Sequence, residues 1–207
     1  ITGGALLGAF LLPFLVFGYS QNTTHPALTD EVVDFYNASF PNKKITYEEK
    51  RWLIKGSIDE DDDLRFFSHF YDPVYDRGLQ SAFTAGSPTF SSKKWALGDT
   101  QKNFYNNQMT GYAAISGADS VHDFSYGRAL SDYAKGDKQR AFVAFGHVLH
   151  LLEDAGVPDH TRNDPHPPVL DLGSPYEHEM DKWNPENFHI VSKLMRSREK
   201  PVILSDV

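Results

Sequence analysis

The segment His147-Val-Leu-His150-Leu-Leu-Glu153-Asp154-Ala-Gly156-Val-Pro158-Asp-His160 limits this chain more than any other. It starts as an amphipathic helix and stops at a Gly and a Pro. His150 and Asp154 are four apart and share one helix face, and His147 lies near the same stripe. His160 returns towards that face from a short loop. Imidazoles and a carboxylate that converge this way are the donor set a borderline ion such as zinc takes. A buried helix with a few satisfied histidines would leave a similar trace. The run continues with Asp164 and His166, and that continuation favours a metal.

No thiolate can take part, because the chain has no cysteine. Any ion must be held by His, Asp, Glu and backbone groups, and no disulfide framework exists. The 207 residues, 40% hydrophobic and 14% aromatic, suit one globular domain rather than a disordered chain. A net charge of −8 argues against the usual basic nucleic-acid surface. It does not exclude a phosphate substrate, since bound cations reverse the local sign.

Ala5 to Gly18 is an apolar run broken by Pro13. It is short for a bilayer span and matches the apolar core of a secretory signal. Residues 1–18 are therefore read as a signal peptide or, alternatively, an N-terminal anchor. Cleavage after Gly18 would make Tyr19 the mature N-terminus of an exported protein spanning 19–207.

Residues 24–40 read as a first helix, with Thr24 or Thr29 as its cap and His25 at its entry. A second helix is expected from Thr46 to about Lys55, ending at Gly56. The acidic run Asp59-Glu60-Asp61-Asp62-Asp63 reads as a solvated loop. It leads into Ser68-His69-Phe70-Tyr71-Asp72-Pro73, an aromatic stretch with a His inside it. The middle, Gly78 to Gly98, is loop-rich and closes with a short helix near Trp95. Helical patterns cover Thr100–Tyr112 and Ser120–Tyr133, the second with His122 as a structural histidine. Asp137 then caps the His150 helix, which Ala141, Phe142, Phe145, Val148, Leu149 and Leu152 should bury. Tyr176 to Trp183 restarts a helix and Phe188 to Arg198 forms a last one. Strand signals are few, and neither a phosphate loop nor a Gly-x-Ser-x-Gly elbow is present. The fold class is all-α, one multi-helix domain with long functional loops.

His150-x3-Asp154-x3-Pro158-x-His160 resembles the signature of bacterial zinc-dependent phospholipase C. More distantly it resembles the single-strand nucleases of the same phospholipase C/P1 nuclease fold. Ser68 to Pro73 is similar to the second motif of the phospholipase branch and lies at a suitable distance upstream. The resemblance covers roughly Tyr19 to Trp183.

The resemblance implies three zinc ions in a cleft. His69, His150 and Asp154 would hold the first, with a carboxylate from the preceding loop. Asp61 is the choice there, with Asp59 and Asp62 as rivals. Asp154 would bridge to a second ion held by His25 and by the amino group and carbonyl of Tyr19. The third would take His160, a further His and Glu177. The family places that His four residues before the acid, where this chain has Gly173; His166 is the first substitute and His178 the next. Asp61 would also orient or deprotonate the attacking water. Asp72, Glu153 and Asp164 would accept from ligand imidazoles. Phe66, Phe70 and Tyr71 would either wall the substrate or simply pack. The implied activity is hydrolysis of a glycerophospholipid at a membrane surface, giving diacylglycerol and a phosphorylated head group. No stable nucleic-acid partner and no protein partner are expected. The alternatives are a single-strand nuclease or nucleotidase, and a non-catalytic relative that keeps zinc for stability.

Overall fold

The structure is a computed structural model that describes residues 19–62, 65–80, 89–98, 123–165 and 173–182, with 193, 196 and 197. The expectations for 1–18, Thr100–Tyr112, His122 and His166 lie outside these residues, as does that for Phe188–Arg198 apart from 193, 196 and 197, which are helical. Among the described residues the chain is helical, with no strand beyond one isolated bridge between Asp72 and Arg77. None of their helices is long and apolar enough to cross a membrane.

The helices are α1 (Thr24–Ser39), α2 (Tyr47–Asp59), α3 (Ser92–Leu97), α4 (Tyr126–Ala134), α5 (Lys138–Asp154), α6 (Pro158–Arg162) and α7 (Pro175–Met180). A 3-10 turn at Arg65–Ser68 follows α2. Helix α5 is the axis, with α2, α4 and α1 packed along it. Its start is fixed by Asp137, whose carboxylate accepts from the Arg140 amide at 3.2 Å. Its end is fixed by Pro158, which opens α6 and has no amide to continue α5.

Two sequence expectations fail here for physical reasons. Helix α1 is capped by neither Thr24 nor Thr29; the Ser20 carbonyl accepts from the Thr24 and His25 amides instead. Both hydroxyls have other work, Thr24 donating to the Met180 carbonyl and Thr29 to Glu153. Helix α2 does not stop at Gly56 but runs on to Asp59, after a capping box between Thr46 and Glu49 at its start. Gly56 is there for closeness. A Cβ on it would lie 2.0 Å from the Val143 carbonyl oxygen, and one on Gly146 would lie 2.1 Å from that of Leu53. The two backbones touch, which sets the end of α2 beside the middle of α5.

Helix α5 buries its polar stripe more deeply than its apolar one. His147, His150 and Asp154 are at most 1% exposed, whereas Leu152 is 64% exposed. Leu130 and Tyr133 of α4 are also exposed. Rather than closing over α5, Phe142, Phe145, Val148, Leu149 and Leu152 line an open apolar groove of about 690 Å³ with side chains of α1, α2 and α4. Polar groups go inside only when something there compensates for lost water. The apolar packing that holds the polar stripe in place comes from two clusters, Phe66–Phe70–Leu79 and Trp95–Leu151. Phe66 and Phe70 are therefore core residues.

Candidate metal centre

Six segments deliver buried donors to one place. His25 is the second residue of α1, Asp61 lies in the turn after α2, and His69 follows the 3-10 turn. His150 and Asp154 come from the last turns of α5, His160 from α6 rather than a loop, and Glu177 from α7. Local packing fixes several of them. The His160 ring stacks on Phe70 at 4.5 Å, and its carbonyl accepts from the Tyr71 amide at 3.1 Å. At the end of α6, Asn163 adopts the left-handed conformation and accepts from the Gln80 amide while donating to the Gly78 carbonyl. These contacts tie the His69 segment to α6.

The donor atoms form a polyhedron. His69 Nδ1 lies 3.0 Å from Asp154 Oδ2, 3.6 Å from Asp61 Oδ1 and 3.3 Å from His150 Nε2. His150 Nε2 lies 3.3 Å from Asp154 Oδ2 and 3.5 Å from Asp61 Oδ1. The His69 and His150 nitrogens thus lie within 3.6 Å of a carboxylate oxygen of both Asp61 and Asp154. Ligand atoms around a four-coordinate ion with bonds of ~2.0–2.1 Å are separated by ~3.3 Å, so the 3.0–3.3 Å edges of the His69–His150–Asp154 triad fit one small ion. On the far side of the same carboxylate, His25 Nε2 is 3.4 Å from Asp154 Oδ1. His25, Asp61 and His150 form a second triad overlapping that of His69, His150 and Asp154. His160 faces Asp154 Oδ2 with Nδ1 at 3.4 Å and Glu177 with Nε2 at 3.7 Å.

Hydrogen bonding does not account for this cluster. Both carboxylate oxygens of Asp61 and of Asp154, together with His25 Nε2 and His69 Nε2, are buried without a hydrogen-bond partner. Leaving such groups unsatisfied is costly, and two carboxylates beside one another more so. A cation among them removes the cost, so the buried His and Asp groups are ones that could hold a metal ion.

Burial alone would lower His25, but the neighbouring Asp154 and Glu153 carboxylates outweigh it and push its pKa up to about 10. His69 is likewise buried, and Asp154, Glu60 and Asp61 push it up to about 10. Asp154 runs against its burial and is held well below the usual carboxylate range by His160 and His150.

The outer partners are specific. His25 Nδ1 meets Glu153 Oε2 at 2.6 Å, and Glu153 also accepts from Thr29. His150 Nδ1 donates to the Ser57 carbonyl at 2.6 Å. Both contacts turn the remaining nitrogen towards the Asp154 carboxylate. Asp72 does not serve an imidazole: it accepts from Arg77 and from the Val74 and Tyr75 amides. Among the acidic rivals, Asp59 pairs with exposed Lys55 and Asp62 accepts from Gln21. Asp61 alone of the three faces His69 and His150. Tyr19 is buried with its ring edge against His25, and its hydroxyl shares a 2.9 Å hydrogen bond with that of Tyr176. Burial and that bond raise its pKa.

At the third position, Gly173 sits at φ +79°, and a Cβ there would meet His178 Nε2 at 2.8 Å. His178 thus fills the space a side chain at 173 would need, but its own side chain is exposed. His166, the first substitute, lies outside the described residues.

Sequence reasoning missed Glu60, the fully buried member of the acidic run. It also placed His147 on the ligand stripe, whereas His147 Nδ1 points to Glu60 Oε2 at 2.5 Å and its ring stacks on Phe124. Burial lowers His147 to about 4 despite that carboxylate. The available hint was Arg65, five residues after Glu60, in an otherwise aromatic segment.

Among the described residues, fold and site together define a helical protein with a buried His–Asp cluster that could hold a metal ion. No family model, curated protein or solved structure matches this chain, so the functional reading rests on its own residues.

Proposed function

We propose that this chain is a zinc-dependent phosphodiester hydrolase of the phospholipase C type, acting on glycerophospholipid at a membrane surface after export. The observation that carries the reading is the pair of overlapping buried triads, His69–His150–Asp154 and His25–Asp61–His150, with His25 and His160 on the flanks of Asp154. Three or more imidazoles with carboxylates and no sulfur suit zinc better than magnesium or calcium, which favour oxygen shells. The crowding of further donors around Asp154 suits more than one ion, three by the phospholipase resemblance. His25, His69 and His150 would bind as neutral imidazoles and Asp154 as the shared anion. His160 and Glu177 would contribute to a further site.

Zinc bound here would neutralise the phosphate oxygens, acidify water and stabilise the departing oxygen. The chain's own part is positioning and proton transfer. Asp61 Oδ2 is buried without a partner, which supports giving it the task of orienting a water and taking its proton. Attack of that water's oxygen on phosphorus breaks the bond to the glycerol oxygen, which leaves as diacylglycerol after regaining a proton. The other product is the phosphorylated head group. The similarity of Ser68–Pro73 to the phospholipase motif and the net charge of −8 favour lipid over nucleic acid.

The test is release of phosphorylated head group from phosphatidylcholine vesicles by zinc-loaded protein, run beside hydrolysis of single-stranded DNA. Lipid turnover that is lost on chelation and in Asp61→Asn supports the proposal. Turnover of DNA alone moves the chain to the nuclease reading, and zinc binding without either activity leaves the ion a stabilising one.

A further inference from the structure

Behind His69, on the side away from Asp154, lies a second buried assembly. Glu60 is 0% exposed. Its Oε2 accepts from Arg65 Nε at 2.8 Å and His147 Nδ1 at 2.5 Å, and Arg65 Nη2 approaches to 2.6 Å. Its Oε1 accepts from Trp95 Nε1 at 2.9 Å. The Arg65 guanidinium in turn lies over the Trp95 and Phe124 rings. Glu60 is thereby clamped from the 3-10 turn, α3 and α5, so its position is fixed before any ion arrives. The remaining side of Oε1 faces His69 Nε2 at 3.7 Å, a buried nitrogen without a hydrogen-bond partner.

The tautomer argument connects the two. Binding an ion through Nδ1 commits that lone pair and leaves the proton of neutral His69 on Nε2. A buried N–H needs an acceptor, and His25 and His150 already have theirs in Glu153 and the Ser57 carbonyl. We infer that Glu60 is the positioning residue for His69: the Nε2 proton is held by Glu60 Oε1, which aims Nδ1 at the Asp61–Asp154 site and raises its basicity. Arg65, Trp95 and His147 hold Glu60 for that task. This rests on the metal reading above, and the experiment separates the two.

The probe is Co²⁺ alone, titrated into metal-free wild type, Glu60→Gln, His69→Ala and the double variant, with the visible Co²⁺ spectrum recorded. Glu60→Gln is expected to weaken Co²⁺ binding about 10- to 100-fold and to shift the spectrum. In the His69→Ala background the same substitution should change affinity less than about twofold, because the residue through which Glu60 acts is gone. Equal losses in both backgrounds would show a purely structural role and overturn the inference. So would an unchanged affinity and spectrum in Glu60→Gln. Should Glu60→Gln not fold, Glu60→Asp keeps the charge while withdrawing it from His69, and the same comparison applies. A wild type that takes up no Co²⁺ would overturn the metal reading and this inference with it.

Discussion

Glu60 and Asp154 are both fully buried carboxylates, and both are held well below the usual carboxylate range. They reach that condition by opposite routes. Glu60 accepts from Arg65, Trp95 and His147, and the fixed guanidinium balances its charge. Asp154 has imidazole nitrogens of His25, His69, His150 and His160 at 3.0–3.4 Å, yet neither of its oxygens has a hydrogen-bond partner. A saturated carboxylate braces a fold, and one ringed by imidazole nitrogens without hydrogen bonds has the arrangement of a metal ligand. The difference lies in the donors, since burial is the same.

The sharpest way to break this comparison is Asp154→Asn. It should lower zinc affinity by at least about 100-fold, beyond the range of outer partners, and remove hydrolytic turnover. Isothermal titration with zinc and the vesicle assay check this.

Protons should compete with zinc at the Asp154 site. The raised pKa of about 10 at His25 and at His69 means both carry protons at neutral pH in the metal-free chain. Apparent zinc affinity should therefore rise with pH up to about 10, by about tenfold per pH unit for each proton displaced. Titration in buffers of different ionisation enthalpy reads the protons released. Metal-free stability should run the other way on the alkaline side. The part due to these histidines is fully present below about pH 6.5 and is lost as pH rises through about 10. The part due to Asp154 is present above about pH 4 and disappears as pH falls through its depressed value.

Glu60→Leu should behave unlike any change at Asp154. It strands the buried Arg65 guanidinium and is expected to cost about 3–5 kcal/mol, measurable by urea unfolding whether or not zinc is present. Gly146→Ala acts on both assemblies, because its Cβ would lie 2.1 Å from the Leu53 carbonyl oxygen and force α2 from α5. About 3 kcal/mol of destabilisation should accompany weaker zinc binding, since the Ser57 contact to His150 crosses the same interface. The smallest effect is expected for Thr29→Val, which removes one donor to Glu153. It should cost about 1 kcal/mol and a few-fold in zinc affinity.

What the sequence revealed and concealed follows from distance along the chain. His150, Asp154 and His160 were legible because helix periodicity and a Gly–Pro break relate them locally. The all-helical class followed from the same periodicity. Glu60 was hidden because its partners lie 5, 35 and 87 positions away, so an acidic run that looks solvated in one dimension is half buried in three. Gly56 was misread for a related reason: a glycine admitted for a close helix crossing looks, in sequence, like a helix stop. The apolar stripe of α5 was expected to be its buried side. Periodicity shows that a helix has two faces, but the convergence of His25, His69 and His160 decides which one goes inside.

The most direct test of the central claim is zinc content per chain, measured by elemental analysis after zinc loading and desalting, for wild type beside His150→Ala. His150 belongs to both overlapping triads. The account predicts at least two zinc ions retained by wild type, with the ions of the two triads lost together in the variant. Wild-type protein that retains no zinc would contradict it.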